Sequence, residues 1–216
     1  MTLFEESLGL TDYVYELRDA FASEDKPSLQ IAQVKSALAR ILEDKELLKK
    51  VLERLAHDIH FVREQFANIF NNEIILWRDP EALFSLRMHI WAEGADCVAH
   101  DHNGFGILGC WLGKVWVENY ELIEERNDYA KLKLKEKLEL NVGDMTVIRA
   151  GKEGIHKVMW NKGEMAITLG AYSRIIHHKN YITAYDPVNQ KRWKIYFPYR
   201  IQREWANALL KILEGA

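Results

Sequence analysis

A chain of 216 residues is long enough for one large domain, or for one domain with a helical extension. Its 48% hydrophobic and 28% charged residues are an ordinary globular balance, and 29 Lys and Arg against 32 Asp and Glu leave a net charge of −3, which gives no reason to expect a nucleic acid or an anionic membrane as partner. Cys97 and Cys110 are too few for a disulfide framework, there is no N-terminal apolar leader, and no run reaches the ~18–20 apolar residues of a membrane span, so the expectation is a soluble cytoplasmic protein.

Residues 1–72 read as helical. Thr11-Asp12 can cap a helix whose buried positions are Val14, Leu17 and Phe21. Ser23-Glu-Asp-Lys-Pro27 breaks it, and Pro27 suits the first turn of the next helix, where Ile31, Val34, Leu38 and Ile41 fall on one face. Asp44 can cap a third helix with Leu48, Val51, Leu52 and Leu55 inward, and residues 57–70 suggest a further short one. His57 and His60 stand three apart there without an evident third ligand, so surface histidines are the simpler reading.

From Glu73 the period changes to two, as a pleated strand requires. Strands are expected over Ile74–Trp77, Phe84–Trp91, the histidine segment near His100, Ile107–Trp111, Val115–Ile123, Lys131–Leu140, Met145–Ile148, Ala166–Tyr172 and Arg192–Phe197, followed by a terminal helix over Ile201–Leu213. In Phe84–Trp91, Leu86, Met88 and Ile90 point one way and Arg87, His89 and Trp91 the other. The Lys131–Lys137 charges read as a solvated strand face. Many short strands with regular turn signals argue for a sandwich or barrel.

Within this pattern, Gly94-Ala-Asp-Cys-Val-Ala-His100-Asp-His102-Asn-Gly-Phe-Gly106 places two imidazoles two residues apart, hence on one strand face, with Asp101 on the other. A third, His156, follows Gly143, Gly151 and Gly154. His100, His102 and His156 together read as an all-histidine metal site.

The spacing Gly94-x5-His100-x-His102, with Gly143, Gly151 and His156 downstream, resembles the two motifs of the cupin superfamily. Phe84-Ser-Leu, Trp91-Ala-Glu-Gly94, His100-Asp-His102, Gly106, His156-Lys-Val, Thr168-Leu-Gly-Ala-Tyr172-Ser173 and Ala184-Tyr-Asp186 resemble, more closely, the thiol dioxygenase family, of which cysteine dioxygenase and bacterial 3-mercaptopropionate dioxygenase are the best-known members. The resemblance runs from about Ile74 to Phe197. It implies a mainly β fold, a cupin jelly-roll barrel over residues 73–200, preceded by a helical subdomain over 1–72 and followed by a helix over 201–216 packed on the barrel. It also implies Fe(II) held by His100, His102 and His156 with no carboxylate, and oxidation of a small thiol to a sulfinic acid by O2. Most other cupins add a glutamate after the second histidine, where this chain has Gly106 and Ile107. Tyr172 matches the family's active-site tyrosine and is the implied catalytic residue.

Three departures from the family bear on the substrate. The serine and histidine that precede the tyrosine at alternate positions in the family are Thr168 and Gly170 here, which removes an imidazole that would hold the hydroxyl. The arginine that pairs with the substrate carboxylate aligns with Ile74, with Asn72 two residues earlier, so either the substrate has no carboxylate or another group takes that task. Arg87, His89 and Trp91 are the expected substrate-binding residues, Arg87 as a bidentate anchor. The family's thioether cross-link falls at Gly106 or Ile107, so no cross-link is expected.

Plainer readings stand beside these. Tyr172 fits a core tyrosine, Trp91 and Trp160 fit packing, Arg87 and His89 fit a wet outer face, and Cys97 and Cys110 fit buried inert thiols. His177-His178 reads as a loop feature. Imidazole suits Zn, Cu, Fe and Ni alike, so zinc or nickel competes with iron for the same ligands. The alternative functions are a cupin oxygenase acting on another small metal-chelating metabolite, a hydrolytic zinc enzyme, or a non-catalytic metal-binding cupin.

Overall fold

The structure is a computed structural model, described here for residues 9–23, 26–65, 68–174 and 179–213. His177 and His178 lie outside the described residues. Helices come first: α1 (Thr11–Ala22), α2 (Pro27–Glu43), α3 (Lys45–His57) and α4 (Ile59–Glu64). Their ends are set locally. Pro27 sits in the first turn of α2, and the Asp44 carboxylate accepts the Leu47 N–H at 2.8 Å to cap α3. Asp58 caps α4 by accepting from the His60 and Phe61 N–H groups. The Thr11-Asp12 cap expected for α1 does not form; Leu10 holds the N-cap position with no side-chain hydrogen bond. His57 and His60 are exposed and gather no third ligand among the described residues.

Among the described residues eleven strands follow: β1 (Glu73–Arg78), β2 (Phe84–Trp91), β3 (Ala99–His102), β4 (Gly106–Leu112), β5 (Lys114–Arg126), β6 (Tyr129–Asn141), β7 (Met145–Ile148), β8 (Gly151–Met159), β9 (Ala166–Ser173), β10 (Tyr181–Asp186) and β11 (Lys191–Tyr196). The antiparallel pairs β2–β9, β3–β8, β4–β7 and β5–β6 are successive rungs of one long hairpin whose tip is the β5–β6 turn. Wound on itself, this ribbon lays alternate rungs in two facing sheets, one ordered β2-β9-β4-β7 and the other β3-β8-β5-β6. That order defines a jelly roll. β1 extends the first sheet, while β10 and β11 extend the second and close it into a ring between β3 and β6. The chain is thus mainly β, with two sheets and helices at both ends.

Two large clusters hold the fold, with a smaller third of Ala99, Ala130, Ile155 and Tyr185 on the strands of the second sheet. Val14, Leu17, Leu38, Ile41 and Phe61 of the helices pack on the outer face of the first sheet through Leu76, Leu86, Met88 and Leu169. Between the sheets, Trp91, Leu108, Val115, Val117, Leu140 and Val158 form a second core. Strand alternation therefore works as read: Leu86 and Met88 face the helices while Trp91 faces the inter-sheet space.

Two strands escaped sequence reading. β8 starts in a glycine-rich segment that looks like a turn, but Gly154 is needed because a Cβ there would lie 1.7 Å from the Arg149 carbonyl oxygen. β10 carries its own alternation but follows directly on a stretch without turn signals. The terminal helix, α5 (Pro198–Leu213), begins three residues earlier than expected and has no buried residue. Ile201 is half-buried and the Glu204 carboxylate accepts from the Asn180 amide, while Trp205 and Leu209 are more than half exposed.

Candidate metal centre and its cavity

Winding the ribbon brings residues far apart in sequence onto adjacent strands. His100 and His102 lie on one face of β3, and β8 pairs with it so that His156 sits directly opposite His100. The ring centroids form a near-equilateral triangle: 4.7 Å between His100 and His102, 5.0 Å between His100 and His156, and 4.9 Å between His102 and His156. Their ligand atoms all lie within 4.8 Å of one another, and the Nε2 atoms of His102 and His156 are 3.2 Å apart. Two donors bound to one ion at roughly 2.0–2.1 Å, in tetrahedral or octahedral geometry, stand about 2.9–3.4 Å apart, so this spacing fits a shared ion. His100 donates from Nδ1 to the Val98 carbonyl at 2.9 Å, which leaves Nε2 free to ligate. No carboxylate joins the cluster among the described residues.

Burial and the neighbouring imidazoles hold His102 well below its ordinary pKa, and burial with the charges of His100 and His89 does the same for His156. Burial also lowers His100, against the opposing Val98 hydrogen bond. The three imidazoles are therefore neutral near pH 7, the form a metal requires. Asp101 points away as expected: it is buried and accepts the Thr183 N–H at 2.7 Å, which pins β3 to β10.

The triad opens on a cavity of about 90 Å³. One water needs on the order of 10–15 Å³ of such space, so it accommodates a small molecule only. The facing wall comes from β2 and β9. Across that ladder Arg87 stands opposite Gly170, and His89 opposite Thr168. Arg87, His89, Trp91 and Tyr172 all line the cavity, so Arg87 and His89 are not on a wet outer face. Ile74, the position aligned with the family's arginine, instead packs under the helices, while Asn72 and Glu73 on either side of the strand start line the cavity.

Tyr172 lies parallel to His102, with centroids 5.4 Å and planes 7° apart, and the Arg87 guanidinium sits 5.6 Å from its ring centre. The ring occupies a cradle made by two glycines. A Cβ at Gly170 would lie 2.4 Å from Cε2, and one at Gly106 would lie 2.5 Å from Cδ1 at the opposite corner. Gly170 is thus the space the tyrosine fills. A histidine there would have no room beside this ring. Thr168 does not serve Tyr172 either: its hydroxyl accepts the Trp91 Nε1–H at 2.9 Å. Burial raises the Tyr172 hydroxyl above its ordinary pKa, so it is protonated at neutral pH.

Glu73 was missed by sequence reading, because an acidic residue at a strand start looks solvent-facing. It is 5% exposed and pairs with Arg87 at 2.5 Å. Burial pushes its carboxyl up, but the Arg87 charge, with His89 and the hydrogen bonds, more than offsets this and holds it below its ordinary value. His89 is pushed down to about 4 by burial, against the pull of Glu73, and stacks beside Trp91 at 5.9 Å. Trp160 in turn packs on Trp91. Cys97 is not fully buried: it lines the cavity, donates to the Val158 carbonyl at 2.7 Å, and is kept protonated by burial.

No family model matches the chain, and no curated protein does. Similar solved structures include a cupin 2 conserved barrel domain protein from Rhodopseudomonas palustris, at 15% identity, TM-score 0.36, over 47% of this chain and 59% of that one. A sugar phosphate isomerase of the cupin superfamily from Silicibacter pomeroyi is 12% identical, with TM-score 0.38, over 59% of this chain and 78% of that one. A conserved protein with a double-stranded β-helix domain from Klebsiella pneumoniae is 11% identical, with TM-score 0.37, over 57% of this chain and 82% of that one. The fold itself rests on the strand order given above. Among the described residues, no helix is long and apolar enough to cross a membrane.

Proposed function

We propose that the chain is a non-haem iron dioxygenase of the thiol dioxygenase type, acting on a small thiol and O2 in a reducing cytoplasm. The observation that supports it best is the convergence of three neutral imidazoles, with no acidic ligand among the described residues, on a small cavity lined by Tyr172. When bound by them, Fe(II) would supply the activation of O2 and the ligation of sulfur; three protein ligands leave positions for both. The balanced conversion is RSH + O2 → RSO2H, with both oxygen atoms entering the product.

The chain's own residues hold the substrate and shield it. Leu108, Val158 and Trp91 keep that side of the cavity apolar and exclude water. The protonated Tyr172 hydroxyl donates a hydrogen bond into the cavity, its ring fixed by Gly106, Gly170 and His102. Arg87, His89 and Trp91 contact the substrate from the facing wall. Both cysteines are free, which suits a reducing compartment.

The test is anaerobic loading with Fe(II), then O2 uptake with a panel of small thiols and mass detection of the sulfinic acid. One O2 consumed per sulfinate is expected. Iron-loaded protein that consumes no O2 with any thiol rejects the proposal in favour of another metallo-cupin role. Elemental analysis of the protein as purified separates iron from zinc or nickel.

A further inference from the structure

Asn72 is 7% exposed, lines the cavity, and neither its amide oxygen nor its amide nitrogen has a hydrogen-bond partner among the described residues. Nδ1 of His89, on the same wall, is also buried without one. Native proteins leave few buried polar groups unpaired, and an amide with both ends orphaned is a donor and an acceptor waiting for a ligand. The Arg87 charge on this wall is already met by Glu73. Arg87 is paired with the buried Glu73 carboxylate and donates from Nε to the Ser85 hydroxyl at 2.9 Å. A second carboxylate would have to displace Glu73 or sit beside it, like charge against like charge in a poorly hydrated space. A cationic group would meet Arg87.

We infer that the wall of Asn72 and His89 is a subsite for an uncharged, carboxamide-like group, so that the ligand carries a neutral hydrogen-bonding tail and not a carboxylate. Resting on the thiol reading above, this narrows the substrate to a small thiol with an amide-type function a few bonds from sulfur. Asn72 pairs with the amide in both directions, and His89 takes or gives one further hydrogen bond. The Glu73–Arg87 pair serves as the device that excludes anions.

Full-length protein loaded with Co(II) tests this with 3-mercaptopropanamide and 3-mercaptopropionate, which differ only at the tail. Affinity is read from the sulfur-to-cobalt charge-transfer absorption. In parallel, Zn(II)-loaded protein is titrated with the sulfur-free pair propanamide and propionate, read from the Asn72 side-chain amide signals in NMR. The amide is expected to bind roughly tenfold to a hundredfold more tightly than the acid in each pair, the cost of leaving buried polar groups unmatched. Asn72→Ala should level the preference. Glu73→Gln should reverse it by releasing Arg87 to a carboxylate, a gain that misfolding cannot imitate. Equal affinity, or preference for the acid in the wild type, overturns the inference and leaves the thiol reading standing if the absorption band forms. If no thiol perturbs cobalt but propanamide still moves the Asn72 signals, the thiol reading is lost and the amide subsite stands. If neither pair binds, these groups hold only water and the amide subsite is lost, while the thiol reading is decided by O2 uptake with the wider panel.

Discussion

Alanine at Gly170 would test the Tyr172 cradle directly. The added Cβ would stand 2.4 Å from Cε2 and 2.7 Å from both Cζ and the hydroxyl oxygen. These are ring atoms, not the loose end of a flexible chain. Nor can the ring slide away in its own plane, since Gly106 is equally close to the opposite corner. It must tilt off His102, to which it is now within 7° of parallel. Overpacking of this kind costs about 1–3 kcal/mol. At this chain length each kcal/mol lowers the melting temperature by about 2–4 °C, so Gly170→Ala should melt roughly 2–12 °C below wild type. In a Tyr172→Ala background the same change meets no ring, and alanine regains its usual advantage over glycine inside an element, about 0.5–1 kcal/mol. The substitution should therefore change sign between backgrounds, with a coupling of about 1.5–4 kcal/mol in a double-mutant cycle. Urea unfolding of the metal-free proteins, followed by circular dichroism, measures it. An equal cost in both backgrounds would falsify the cradle.

Three further outcomes are expected. His156→Ala removes one of three donors and should lower bound metal from about one ion per chain to a small fraction by elemental analysis; full retention would show that the ligand set is wrong. Asp101→Ala strips the buried Thr183 N–H of its acceptor and should cost about 1–3 kcal/mol in urea unfolding, with faster amide exchange at Thr183; unchanged exchange there would count against the pin between β3 and β10. Metal-free protein should lose stability in mild acid. The folded pKa of His89 is depressed to about 4 against 6.5 unfolded, so between those values the unfolded chain binds the extra proton. The associated stability is complete above pH 6.5 and is lost as pH falls toward about 4, on the order of 3 kcal/mol. His100, His102 and His156 are depressed in the same direction and add to the slope. Urea midpoints at pH 7.5 and 5 check it, and a flat profile would sink it.

The convergence of the three histidines was legible because it needs only two signals, a strand-spaced pair of histidines and a third residue on a strand that can return beside them. The helices and most strands were legible for the same reason, since burial on one face writes a period into the sequence. What was not legible depends on contact across the fold. Nothing local says that Gly154 abuts the Arg149 backbone, so no strand was expected where β8 runs. Nothing local says that Gly170 is filled by a ring two residues on, so it looked like a loss. Glu73 and Asn72 were passed over because a polar pair at a strand start is usually wet, and only the packing of Phe70 against His100 at 4.9 Å and the pairing with Arg87 reveal that this start is inside. The terminal helix was legible as a helix, and none of its described residues is fully buried.

The ribbon also separates the two tasks of the site. All three histidines stand on one rung, β3–β8, in the second sheet. Arg87, His89, Trp91 and Tyr172 stand on the next rung outward, β2–β9, in the first. The two rungs share no strand, and they touch where Tyr172 stacks on His102. A change at His89 or Trp91, away from that stack, therefore leaves the backbone under the histidine triangle in place. His89→Gln, which keeps a hydrogen-bonding group on the wall, should alter ligand affinity while bound metal per chain stays at the wild-type level. Trp91→Phe should do the same, losing the bond to Thr168 but not the ligand geometry. If either substitution stripped the metal as completely as His156→Ala, the wall would be part of the coordination sphere, and the independence of metal and substrate sites argued from the winding would fail.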